Sequence, residues 1–305
     1  MDFRNAKELL KVCQEQGLSI SAVMLQRELT EGEQDPEETD RKMDRVLEIM
    51  KSAASTPIHT PVKSMGGLIG GEAKKISDHK DTGKGLCGDL LERAVIYAMA
   101  TLETNASMGV IVASPTAGSA GIVPGLLMGV ALVIIVMIVP GLLLALQETY
   151  NLSDEQIKQG LYNASAIGYL AMRNATVAGA VGGCQAEVGI ASAMAASATV
   201  ELMGGSPEQS LAAASTVLMN MLGLVCDPVG GLVEYPCQNR NAAGVANATI
   251  AAEIALSGVR QLIPFDEMLE AVYTVGKRLP AELRETALGG CATTPSACAA
   301  CHMCD

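Results

Sequence analysis

Residues 182–205 read GGCQAEVGIASAMAASATVELMGG, and this stretch decides the fold class. Alanine and methionine are strong helix formers, glycine pairs punctuate both ends, and no aromatic side chain interrupts the run. Runs of alanine, methionine and glycine broken by short glycine turns continue as far as Arg260. The whole chain holds two Phe, six Tyr and no Trp, so it lacks the aromatic residues that favour strands. An all-α fold is predicted, mostly helical, with small side chains letting helices approach closely and long glycine-rich loops between them.

About half of the 305 residues are apolar, enough for a substantial core. The net charge of -12, the absence of a basic cluster and the scarcity of aromatics exclude phosphate-backbone binding and base stacking, so no nucleic acid is expected. The N-terminus, MDFRNAKELLKVCQEQG, lacks the basic and then apolar order of a secretory signal. With nine cysteines this points to a reducing, cytoplasmic setting, where thiols serve as ligands or stay buried. Ile122 to Leu146 is uncharged and long enough to span a bilayer, but it contains Pro124 and Pro140 and has no flanking Lys/Arg asymmetry. A buried central helix is the expectation, and no membrane partner.

Three segments are expected along the chain. Residues 1–55 form an N-terminal helical segment, read as two helices joined at TEGEQDPEETD. Residues 56–290 form the main domain, opening with a loop over 56–88 that is dense in Gly, Pro and Ser. Residues 291–305 form a cysteine-rich tail. Helices are further predicted near Leu90 to Ala106 and between Pro264 and Pro280.

Chemistry concentrates at three cysteines in turn-like settings: GGCQAEVG around Cys184, LVCDPVGG around Cys226 and EYPCQNRNAAG around Cys237. Inert core thiols commonly sit inside helices, whereas turns can converge on a site. Thiolates are soft ligands suited to iron–sulfur clusters and zinc, and three of them leave one coordination position open. Buried free thiols are the alternative. SPTAGSAG offers the Ser114, Thr116 and Ser119 hydroxyls with N–H groups freed by Gly118, either an anion nest or an ordinary helix cap. Ser64, Gly66 and Gly67 of SMGG, and Asn105 and Ser107 of NASMG, are similar candidates. Arg240 could grip a carboxylate or brace the cysteine loop.

Taken together and in order, SMGGLIGGEA, ASPTAGSAGIVPG, GGCQAEVG and CDPVGGLVEYPCQNRNAAG resemble the α chain of the iron–sulfur-dependent L-serine dehydratases, from about residue 15 to the tail. The resemblance implies that Cys184, Cys226 and Cys237 hold a [4Fe–4S] cluster whose free iron faces L-serine, and that the enzyme converts serine to pyruvate and ammonia. It also implies a largely helical fold and a β-chain partner that completes the site and supplies a histidine. By the same pattern SPTAGS, SMGG, NASMG and Arg240 become candidates for binding the substrate carboxylate. One departure stands out: about sixteen extra apolar residues separate two copies of VPGLL, at Val123 and Val139.

The general base is left open among His59, Lys63 and a partner-chain residue. His79 and His302 read as solvated, and Lys74 and Lys75 would serve only if desolvated. In the tail, Cys298, Cys301 and Cys304 repeat at C-x2-C-x2-C spacing, a source for a fourth cluster ligand, a separate metal site or redox-sensitive thiols. Rival readings are an L-cysteine desulfidase on the same catalytic domain, a ferredoxin-like electron carrier built on the tail, and pyridoxal phosphate chemistry through a lysine.

Overall fold

The computed structural model describes residues 2–32, 35–112 and 138–301. Among these there are thirteen α-helices and no strand, as the composition predicts. The N-terminal part contains three helices rather than two: α1 (Ala6–Gln16), α2 (Ile20–Glu31) and α3 (Pro36–His59). The extra break follows from Gly17, whose φ of 65° ends α1 in the left-handed region, and from Ser19, whose hydroxyl accepts the Ala22 N–H and caps α2. The loop expected over 56–88 is shorter than its composition suggests, because α3 runs on to His59 and α4 (Glu72–Asp81) lies inside it. Only Ala73 of α4 is buried and no side chain caps it, so it has none of the periodicity that marks a helix in sequence.

Next come α5 (Gly88–Ala106), α6 (Ile138–Tyr150), α7 (Asp154–Asn174) and the single turn α8 (Gly179–Gly182). A π-helical turn, Gln185–Gly189, leads into α9 (Ile190–Leu202), followed by α10 (Pro207–Asn220), α11 (Cys237–Leu256), α12 (Phe265–Arg278) and α13 (Pro295–Ala300). Every residue of α9 from Ile190 to Val200 is buried. It is the central helix, wrapped by α6, α7, α10 and α11, and its alanines and serines let those neighbours come close.

The apolar segment from Ile122 lies outside the described residues up to position 137. Its remainder, Ile138–Leu146, is the buried first part of α6 and includes the second VPGLL. No helix among the described residues is long and apolar enough to cross a membrane.

Candidate metal centre

Cys184 follows Gly183, whose φ is 73° and whose missing Cβ would sit 2.7 Å from Leu279 Cδ1 and 2.8 Å from the Leu224 carbonyl oxygen. Only glycine fits there, so the chain turns sharply and delivers Cys184 to the start of the π-helical turn. Such widened turns recur at functional sites because they re-aim side chains. Gln185 fastens the turn to the next cysteine segment: its N–H donates to the Leu224 carbonyl at 3.0 Å, and its side-chain oxygen accepts the Gly223 N–H at 2.8 Å.

That segment brings Cys226 to Cys184. Ligand atoms of Cys184, Glu187 and Cys226 all lie within 4.8 Å of one another, and all three residues are buried. The Cys226 thiol donates to Glu187 Oε2 at 3.7 Å. Glu187 in turn presses on Gly179, where an added Cβ would meet Oε2 at 2.4 Å. Cys237 opens α11, and its thiol feels the charges at Cys184 and Glu187. Contact with Cys184, burial and the nearby negative charges drive the Cys226 pKa far above the ordinary thiol range. For Cys237, burial leads and the same charges follow, partly relieved by Arg240.

Arg240 is the cation that faces this group. Its NH1 lies 3.6 Å from Cys184 Sγ, donates to the Val225 carbonyl at 3.0 Å and forms an ion pair with Asp227 Oδ1 at 2.6 Å. Burial works against its charge, but Cys184 and Asp227 outweigh that and raise its pKa. Of the roles open in sequence, the geometry is that of a brace across the cysteine loops.

The SMGG and NASMG candidates meet beside the Cys237 segment. The Glu234 carboxylate, three residues before Cys237, accepts the Ser64 hydroxyl at 2.7 Å and the Gly66 and Leu68 N–H groups at 2.6 and 3.0 Å. Met65 N–H donates to the Ala106 carbonyl, which docks the loop on the end of α5. Ser107 caps that end through its hydroxyl to the Thr104 carbonyl, and the Asn105 carbonyl accepts the Met108 N–H. Ile69 and Leu102 form a small apolar cluster with Leu68, Ala106, Val233 and Cys237 packed against it. Gly67, at φ 73°, lies beside Lys63, whose Cε would be 3.4 Å from a Cβ there.

Among the base candidates, Lys63 is exposed at the rim of this loop and His59 is exposed at the end of α3. His79 is exposed, while Lys74 and Lys75 are paired with Asp78 and Glu72. Ser114, Thr116, Gly118, Ser119, His302 and Cys304 lie outside the described residues. In the tail, Cys298 is exposed, whereas Cys301 is buried with its sulfur 2.8 Å from where a Cβ on Gly230 would stand. No disulfide occurs among the described cysteines.

Sequence reasoning passed over Glu187, Asp227 and Glu234, although a signal was present. Glu187 is the single charged residue between Arg173 and Glu201, and Asp227 and Glu234 are the only two between Glu208 and Arg240. Isolated acids in long uncharged runs have to be buried with partners or at a site.

The chain matches the family described as serine dehydratase alpha chain over residues 15–292. It is 47% identical over 294 residues to the probable L-serine dehydratase, alpha chain, of Bacillus subtilis, covering 96% of this chain and 92% of that one. The L-serine dehydratase, alpha chain, of Peptoniphilus asaccharolyticus is 44% identical over 290 residues, 95% and 94% of the two chains. A longer protein of Helicobacter pylori, L-serine dehydratase, is 34% identical over 301 residues, 96% of this chain but 62% of its own length. Matched by that family along nearly its whole length, the chain belongs to the serine dehydratase alpha chain family.

Proposed function

We propose that this chain is the metal-binding catalytic subunit of a lyase that eliminates water from L-serine, giving pyruvate and ammonia, with a [4Fe–4S] cluster on Cys184, Cys226 and Cys237. The observation that carries this reading is the convergence of Cys184 and Cys226, with Cys237 in the same electrostatic group, from three separate stretches of chain. The donor set fits such a group. Cys184, Cys226 and Glu187 crowd together, burial and neighbouring charge push the Cys226 and Cys237 thiols upward, Arg240 is the facing cation, and soft thiolates are stabilised outright by a bound metal.

When bound, the cluster would supply a Lewis-acidic position that stabilises the departing hydroxide of serine. The chain's own residues do the rest. Arg240 keeps Cys184 and the 225–227 segment in register and balances their charge. The glycine-rich loop at 64–68 forms a wall of the site, with Ser107 and Asn105 below it and the SPTAGS segment as the further carboxylate-binding candidate. Lys63 at the loop rim, His59, or a histidine of the partner chain takes the α-proton. Loss of that proton and of hydroxide leaves aminoacrylate, which tautomerises to the imine and is hydrolysed to pyruvate and ammonia.

A β chain is proposed as partner. Two relatives that match almost end to end carry alpha-chain names, and the longer Helicobacter protein has more than a third of its length unmatched. A second reading has one specific observation in its favour: ligand atoms within 4.8 Å of one another also suit a single zinc ion, bound by sulfur at about 2.3 Å. Metal and sulfide analysis of protein purified without oxygen separates the two. Iron with matching acid-labile sulfide, visible absorption that bleaches in air and pyruvate formed from L-serine are the expected results. Zinc without sulfide, or Cys184→Ala, Cys226→Ala and Cys237→Ala chains that keep their iron, would overturn the cluster. Sulfide released from L-cysteine in preference to pyruvate from L-serine would favour the desulfidase.

A further inference from the structure

The loop SMGGLIGGEA is built around two buried carboxylates, and both are tied to the residues flanking Cys237. Glu234, 2% exposed, takes the donors of Ser64, Gly66 and Leu68. Glu103, 1% exposed on α5, takes the N–H groups of Gly71 at 3.1 Å and Ala73 at 2.9 Å, and its Oε1 also accepts Gln238 Nε2 at 3.1 Å. Cys237 lies between Glu234 and Gln238 in sequence, so the first half of the loop is gripped just before the cysteine and the second half just after it. Gly66 has no room for a side chain, since a Cβ would meet Leu232 Cδ1 at 2.4 Å and Glu234 Oε1 at 2.9 Å. The donors that could have bound a free carboxylate are used by one belonging to the chain itself.

We propose that Glu234 is a positioning residue: its carboxylate locks the 64–68 loop onto the Cys237 segment, so that the wall of the substrate site takes its shape only against the cysteine loop. Both carboxylate oxygens are needed, because one faces Gly66 and the other faces Ser64 and Leu68. An amide in its place turns an NH2 group toward an N–H or hydroxyl donor and breaks one side of the clamp. The kinetic part of the test rests on the function proposed above; the exchange part does not.

Hydrogen exchange read by mass spectrometry, on the enzyme with its partner and metal and on the isolated chain, compares wild type with Glu234→Gln. Expected is acceleration of at least about tenfold at the amides of residues 66–68, with α9 and α11 unchanged. With iron content unchanged, KM for L-serine should rise about tenfold while kcat stays within about threefold, as expected when substrate binding rather than chemistry is weakened. Glu234→Asp, which keeps two oxygens, should fall between the two. Ser64→Ala removes one of the three bonds and should give a smaller acceleration at the same amides, which keeps the test open if Glu234→Gln fails to fold. Unchanged exchange at 66–68, acceleration spread evenly over all helices, or a fall in kcat at constant KM would overturn the proposal. Wild type that binds no metal or leaves L-serine untouched would instead overturn the function while leaving the exchange result to stand.

Discussion

Arg240 connects sulfur, carbonyl and carboxylate through a single guanidinium nitrogen, NH1. A lysine at 240 brings a more strongly hydrated ammonium that turns freely on its stem, so it holds Val225, Asp227 and Cys184 less firmly than NH1 of the rigid guanidinium does. Outer partners of metal ligands typically contribute 10–100-fold in affinity, so Arg240→Lys should weaken metal retention by roughly tenfold. Competition with a chelator, timed by loss of visible absorption, measures this, and wild-type retention would show the brace to be dispensable. A second residue reports on the core alone. Cys13 is buried on the inner face of α1, and burial, reinforced by Glu201 and Glu208, pushes its pKa up to about 12 from 9.0. The folded state therefore holds its proton more tightly than the unfolded chain does. The contribution to stability is complete below pH 9 and is lost as pH rises toward 12. Melting curves from pH 8 to 11 should fall less steeply for Cys13→Ala than for wild type. The same burial predicts that Cys87 and Cys298, both exposed, are alkylated in the native protein while Cys13 is not.

At the scale of elements, the helices that carry the core were legible because alanine and methionine leave no other structure to adopt. The end of α5 and the span of α12 between its prolines were readable for the same local reasons. What sequence left hidden was either short and uncapped, as with α4, or non-local, as with Glu187, Asp227 and Glu234, whose partners lie far along the chain. The cysteines stood out through their turns, but the brace role of Arg240 and the seating of SMGG on Glu234 required the fold. The second VPGLL shows how a small motif acts through packing. Gly141 faces α5 so closely that a Cβ would lie 2.9 Å from the Ala94 carbonyl oxygen and 3.0 Å from both Ala98 Cβ and Ala98 N. Backbone atoms cannot rotate away, so Gly141→Ala has to part the two helices. Overpacking of this kind costs about 1–3 kcal/mol, against which alanine's better helix propensity returns less than about 1 kcal/mol. Urea denaturation should show a net loss of stability, and an unchanged midpoint would mean that α5 and α6 are less tightly joined than these distances require.

Across the whole molecule, the middle cysteine depends on the far end of the chain. Cys226 N–H donates to the Leu283 carbonyl at 2.9 Å and its carbonyl accepts the Glu285 N–H at 2.7 Å, a single parallel bridge with Arg284 at its centre. Asp227, already paired with Arg240, accepts the Cys291 N–H at 2.6 Å through its other oxygen. Residues 281–291 thus form a strap over the cysteine site, while α13 and the tail thiols lie beyond it. Two truncations separate the strap from the thiols. A chain ending at Thr294 keeps every one of these hydrogen bonds and should load metal, whereas a chain ending at Arg278 leaves Cys226 and Asp227 without them and should not. Metal that binds only the folded state adds about 2.7 kcal/mol at a free concentration one hundred times its Kd, so loading is visible as a rise in melting temperature that a chelator removes. That rise should survive in the first truncation and vanish in the second. If both truncations lose it, the tail thiols are themselves needed to hold the metal; if both keep it, Cys184, Arg240 and Cys237 suffice to hold the Cys226 segment without the strap.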